Sequence, residues 1–95
     1  MITLIVELAG GTAAQYDEAN RIMGLTRTNV PDGLIFHTAC TTENGFFVAD
    51  TWESQEKLDA FMEKLGPAMQ QVGFGGATTR VYPTHNVMGT CKIPE

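Results

Sequence analysis

The chain has 95 residues, 43% of them hydrophobic, with six Lys and Arg set against eleven Asp and Glu. That length makes one domain whose core is marginal on its own, a size at which a second copy commonly supplies missing burial. The formal charge of −5 and the scattered basic residues argue against nucleic acid or an anionic membrane surface as partner, since both need clustered Lys and Arg.

The first predicted strand runs from Ile2 to Leu8 (ITLIVEL), with Ile2, Leu4, Val6 and Leu8 on one face. This opening run is too short for a secretion signal, Glu7 interrupts it, and no stretch reaches membrane-spanning length, so the expected location is cytoplasmic. Gly10-Gly11 breaks the strand, and Thr12 is a candidate N-cap for a helix extending to about Leu25. Ala13, Tyr16, Ala19, Asn20 and Met23 share one stripe of that helix. The run NVPDG then ends it, because Pro31 bars continuation and Asp32-Gly33 favours a turn.

LIFHTACT is the second strand and FFVADTW the third, with Asn44-Gly45 between them as a hairpin signal. Ser54 is placed to cap a second helix whose Leu58, Phe61, Met62 and Leu65 recur at helical spacing. Gly66-Pro67 should interrupt that helix before AMQQV resumes it. ATTRVYPTHNVMG reads as a fourth strand, and Pro83 within it points to a sheet edge or a bulge. Residues 1–88 thus form a single domain, and 89–95 a C-terminal tail. Cys40 and Cys91 belong to no metal-ligand spacing, so no metal is expected.

The β-α-β-β-α-β order predicts an α+β ferredoxin-like domain, a four-stranded antiparallel sheet with both helices on one face. Both alternating sets of the second strand are largely apolar, which suits a homodimer that covers the face without helices.

If Asn44 and Gly45 are the two hairpin loop residues, Ala39 lies opposite Asp50 and His37 opposite Trp52, all on one face. A buried carboxylate is costly unless paired, so Asp50 needs a partner, and His37 or Arg80 are the candidates. A His–Asp contact in a sheet is also a common structural hydrogen bond. Likewise a lone tryptophan where a strand meets a helix commonly packs on that helix. Tyr16 is positioned to bring a phenol to the same cavity. His85 and Asn86 are adjacent on their strand, so only one of them can face any given cavity. Met62 and the other methionines are adaptable core or the wall of an apolar pocket.

The PDGLIFH entry to the second strand, the VADTWESQEKLDAF join and the HN pair resemble the dimeric α+β barrel superfamily. Within it, the resemblance is to antibiotic biosynthesis monooxygenase-like domains, and it covers roughly residues 2 to 88. It implies oxidation of an aromatic or polyketide-like small molecule by dioxygen without flavin, haem or metal, in a pocket between sheet and helices. It further implies His37 or His85 as base, Asp50 orienting His37, Asn86 stabilising an oxyanion, and Trp52, Tyr16 and Met62 contacting substrate. Haem-degrading relatives add an asparagine on the first strand and a histidine on the second helix. Here the first strand offers Thr3 and Glu7, and Met62 falls about where that histidine would stand. A non-oxidative polyketide cyclase or isomerase in the same pocket, and a non-catalytic dimer that binds a small apolar ligand, remain the alternatives.

Overall fold

Six elements follow one another in the computed structural model, which describes residues 1–74 and 76–89. They are β1 (Ile2–Ala9), α1 (Ala13–Met23), β2 (Leu34–Thr42), β3 (Gly45–Trp52), α2 (Gln55–Gln71) and β4 (Thr78–Pro83). The strands form one sheet in the order β2-β3-β1-β4, every neighbouring pair antiparallel. This is the ferredoxin-like arrangement expected from the element order. The expected tail, with Cys91, lies outside the described residues apart from Gly89.

Alternation along β1 and β3 produces the core. Leu4, Val6 and Leu8 meet Phe46, Val48 and Trp52 on the face covered by the helices, and Leu58 of α2 closes over them. Each helix begins at the side chain the sequence marks for it. Thr12 accepts from the Gln15 backbone N–H, and the Gln15 side chain accepts from the Thr12 N–H, a reciprocal cap. Ser54 caps α2 through the Lys57 N–H at 3.2 Å. Gly24, at φ 72°, ends α1 two residues before the expected Leu25. The N–H of Leu25 turns back to the carbonyl of Asn20.

Four expectations need correction. The helix α2 is continuous through Pro67. Gly66, preceding it, has no Cβ to meet the proline ring, which eases the helical conformation there despite the missing donor. The hairpin register is shifted by two residues, with Thr42 opposite Gly45, so Glu43 and Asn44 form the loop. Gly45 belongs to β3 because a Cβ there would lie 2.2 Å from the Leu8 carbonyl oxygen, where β1 crosses close by. A bulge between Leu34 and Phe36 puts Leu34 on the helix face beside Trp52 and leaves Phe36 on the other. Finally, β4 is an edge strand, as Pro83 suggested, but it ends at Pro83, so His85 and Asn86 lie beyond it.

Residues 84–89 leave β4 on the helix-free face. Thr84 shares a 2.7 Å hydroxyl contact with Thr3 and donates its N–H to the Met1 carbonyl. A Cβ on Gly89 would sit 3.8 Å from the Phe36 ring, at the opposite edge of the sheet. No helix among the described residues is long and apolar enough to cross a membrane.

Candidate functional site

One row of residues crosses the helix face of the sheet: Val81 of β4, Leu4 of β1, Asp50 of β3 and His37 of β2. The two-residue shift of the hairpin sets His37 directly opposite Asp50, not opposite Trp52. Because the shift is even, all three stay on one face. His37 thus lies on an edge strand with its side chain 31% exposed, while Asp50 lies in the interior at 6%.

A hydrogen-bonded chain runs outward from the core through these residues. The indole N–H of Trp52, fully buried against Phe61 of α2, donates to Asp50 Oδ2 at 3.3 Å. Asp50 Oδ1 contacts His37 Nδ1, and His37 Nε2 contacts the Tyr16 hydroxyl at 2.5 Å. An ionised carboxylate only accepts, so the Nδ1 proton is donated to Asp50 and the Nε2 lone pair receives the phenol O–H. That direction satisfies every member. Among the described residues, no buried side-chain nitrogen or oxygen lacks a partner.

Tyr16 reaches His37 because α1 lies over β2 and β3. Its ring is nearly parallel to the imidazole, with centroids 5.8 Å apart, and leans on Phe46 at 5.0 Å. Burial raises the phenol pKa above its ordinary value of 10.0. A hydrogen bond with the Asn20 side chain, one turn further along α1, acts against that rise, and the charges of Asp50 and Asp17 add to it. At neutral pH Tyr16 is therefore an O–H donor.

The sequence-predicted residues divide accordingly. Tyr16, His37, Asp50 and Trp52 form one group. Met62 is half-buried on α2, packed against the same core. His85 and Asn86 are exposed and lie past the end of β4, in the segment that leaves on the helix-free face, and not with His37 on the helix face. Arg80, the other candidate partner for Asp50, pairs with Ile5 on the helix-free face. Asn20, on the same stripe as Tyr16, has no part in the site expected from the sequence, although its position one helical turn after Tyr16 was the available signal. Two surface grooves lie elsewhere. One, of about 290 Å³, is lined by Ala14, Ile22 and Val72 between α1 and the end of α2; the other, of about 320 Å³, lies at the hairpin end of the sheet.

No protein-family model and no curated protein sequence matches the chain. Solved structures do match in fold. A variant of SnoaB from Streptomyces nogalater, described as a cofactor-independent oxygenase, superimposes with a TM-score of 0.66 at 8% identity, covering 94% of this chain and 97% of that one. A candidate antibiotic biosynthesis monooxygenase from Deinococcus radiodurans gives 0.64 at 13% identity, covering 95% and 98%. The monooxygenase from the gene ActVA-Orf6 of Streptomyces coelicolor, in complex with nanaomycin D, gives 0.57 at 15%, covering 94% and 91%. The chain has the fold of the antibiotic biosynthesis monooxygenase-like proteins over nearly its whole length.

Proposed function

We propose that this protein is a cofactor-independent monooxygenase that deprotonates an acidic aromatic or polyketide-like small molecule and lets the resulting carbanion react with dioxygen. The observation that carries the reading is the carboxylate–imidazole pair, buried Asp50 behind a partly exposed His37 whose Nε2 meets the Tyr16 hydroxyl. Asp50 holds the Nδ1–H tautomer and stabilises the imidazolium that forms when Nε2 takes a proton. The indole N–H of Trp52 and the Nδ1–H fix the carboxylate from both oxygens.

For an anthrone-like substrate, loss of a proton gives an electron-rich anion that reduces dioxygen itself. One oxygen atom becomes the new carbonyl of the product, and the other leaves as water with the two hydrogens of the oxidised methylene. The protein supplies the base, the orientation and a partly dry site. Likeness of fold to an oxygenase described as cofactor-independent, and to one bound to nanaomycin D, supports this substrate class.

The reading includes a homodimer. The helix-free face presents Ile5, Phe36, Phe47 and Tyr82, with Phe36 37% and Tyr82 51% exposed, and a second sheet laid against it would close a barrel. Sedimentation at micromolar concentration checks it, with two copies expected.

Oxygen uptake with a panel of anthrones, naphthols and hydroquinones tests the activity. Uptake by the wild type that falls about 10²-fold or more in His37→Ala, with saturable binding retained, is the expected result. Turnover without oxygen uptake would instead give the cyclase or isomerase reading, which the same His–Asp base serves equally well. Binding that survives His37→Ala with no turnover in either protein would leave a non-catalytic binder, for which the mixed polar and apolar groove between α1 and the end of α2 is the alternative seat.

A further inference from the structure

The base identified above is covered. The one nitrogen of His37 that could take a substrate proton already accepts a hydrogen bond from Tyr16. The chain is also graded in depth: the Trp52–Asp50 bond is buried, the Asp50–His37 bond partly buried, and the His37–Tyr16 bond reaches the surface. A molecule arriving from solvent reaches the chain at the His37–Tyr16 pair, where the Nε2 lone pair is already taken by the phenol O–H while the phenol oxygen can still accept. The Tyr16 ring is seated against Phe46 and beside the imidazole, so exposing Nε2 would require breaking both contacts as well as the hydrogen bond.

We propose that Tyr16 is the catalytic residue that touches the substrate, its hydroxyl taking the substrate's proton while passing its own to His37 Nε2. The inference rests on the His37-centred reading above and adds the group that carries it out, together with a ligand class: a flat molecule presenting an acidic aromatic hydroxyl or enol.

The step balances as two coupled proton transfers. The substrate O–H bond breaks and a new O–H bond forms on Tyr16; the original Tyr16 O–H bond breaks and an N–H bond forms on Nε2. The substrate is left as an anion, Tyr16 is neutral before and after, and His37 is an imidazolium beside the Asp50 carboxylate. Nothing is oxidised or reduced. A phenol oxygen donating to Nε2 keeps a lone pair with which to accept the substrate hydroxyl. Burial, which raises the phenol pKa, keeps Tyr16 from ionising alone, so it acts as a conduit to His37 and not as a standing base.

The test uses 4-nitrophenol, whose ionisation is visible in its absorbance, with the full-length protein at a pH below the probe's own midpoint. Trp52 fluorescence reports binding and the ¹⁵N shifts of His37 report its protonation. With the wild type, bound probe is expected as the anion, and His37 as the imidazolium. Tyr16→Phe keeps the ring against Phe46 and removes only the hydroxyl, so it is expected to bind the probe within about threefold of wild type while the ionised fraction falls at least about tenfold. His37→Gln, with Tyr16 intact, should likewise leave the bound probe neutral.

Ionisation in Tyr16→Phe equal to wild type would overturn the proposal, because His37 would then take the proton directly. Wild-type protein that does not bind the probe, or binds it without ionising it, overturns it as well. The oxygenase reading fails separately: ionisation through Tyr16 without oxygen uptake by any substrate leaves the relay standing, and uptake undiminished in Tyr16→Phe leaves the oxygenase standing without it.

Discussion

Replacing Trp52 with phenylalanine isolates what the tryptophan contributes beyond being large and apolar. Its side chain is 0% exposed, and its N–H is one of two donors to a carboxylate that is 6% exposed. Losing the N–H leaves Asp50 Oδ2 without its partner in a dry setting, which costs about 1–3 kcal/mol. Shrinking indole to phenyl removes a few core atoms and part of the contact with Phe61, for a further loss of about 1–2 kcal/mol. The expected destabilisation is about 2–4 kcal/mol, which in a domain of this size lowers Tm by about 10–25 °C. Urea unfolding followed by far-ultraviolet circular dichroism, at fixed protein concentration because the chain is read as a dimer, measures it. Pairing Trp52→Phe with Asp50→Leu separates the two causes. Once the carboxylate is gone, the indole N–H has no anion to serve, so the double variant should be at least about 1 kcal/mol more stable than the sum of the singles predicts. Strict additivity, or a Trp52→Phe loss below about 1 kcal/mol, would refute the reasoning and reduce Trp52 to a packing residue.

Gly45→Ala places a Cβ against the Leu8 carbonyl and should cost about 1–3 kcal/mol by the same unfolding assay; a neutral result would mean β1 and β3 separate easily there. Pro67→Ala restores a helical donor in the exposed end of α2 and should raise stability by about 1–3 kcal/mol, whereas no gain would show that the proline is already accommodated without cost. Because the folded-state pKa of Tyr16 lies above the unfolded value near 10, its contribution to stability is fully present below about pH 10 and is lost as pH rises through the folded value. Ultraviolet phenolate titration of wild type against Tyr16→Phe checks this, and a Tyr16 midpoint at or below 10 would contradict it.

How much of this was legible in the sequence follows from which features are periodic and which depend on contact. Element order, both N-caps and the buried stripe of α2 are local, and Thr12, Ser54 and Leu58 could be read from spacing alone. The hairpin partners could not, because Asn44-Gly45 is a turn signal by composition, while Gly45 is held in β3 by the backbone of β1, a strand more than thirty residues away in sequence. That misreading left the site intact for a physical reason. A register error of two residues changes every partner but no face, so His37, Asp50 and Trp52 stayed together, and the closest pair became His37 with Asp50. An odd displacement is less forgiving. The bulge at Ile35 moved Leu34 to the face opposite Phe36, and the termination of β4 at Pro83 took His85 and Asn86 off the strand whose alternation had suggested a role for one of them. The same distinction bears on Tyr16. Its helical stripe faced the sheet by periodicity, but its closure over His37 depends on where α1 crosses β2, which no local pattern encodes. The residue nearest the proposed chemistry is therefore the one whose role needed the assembled fold.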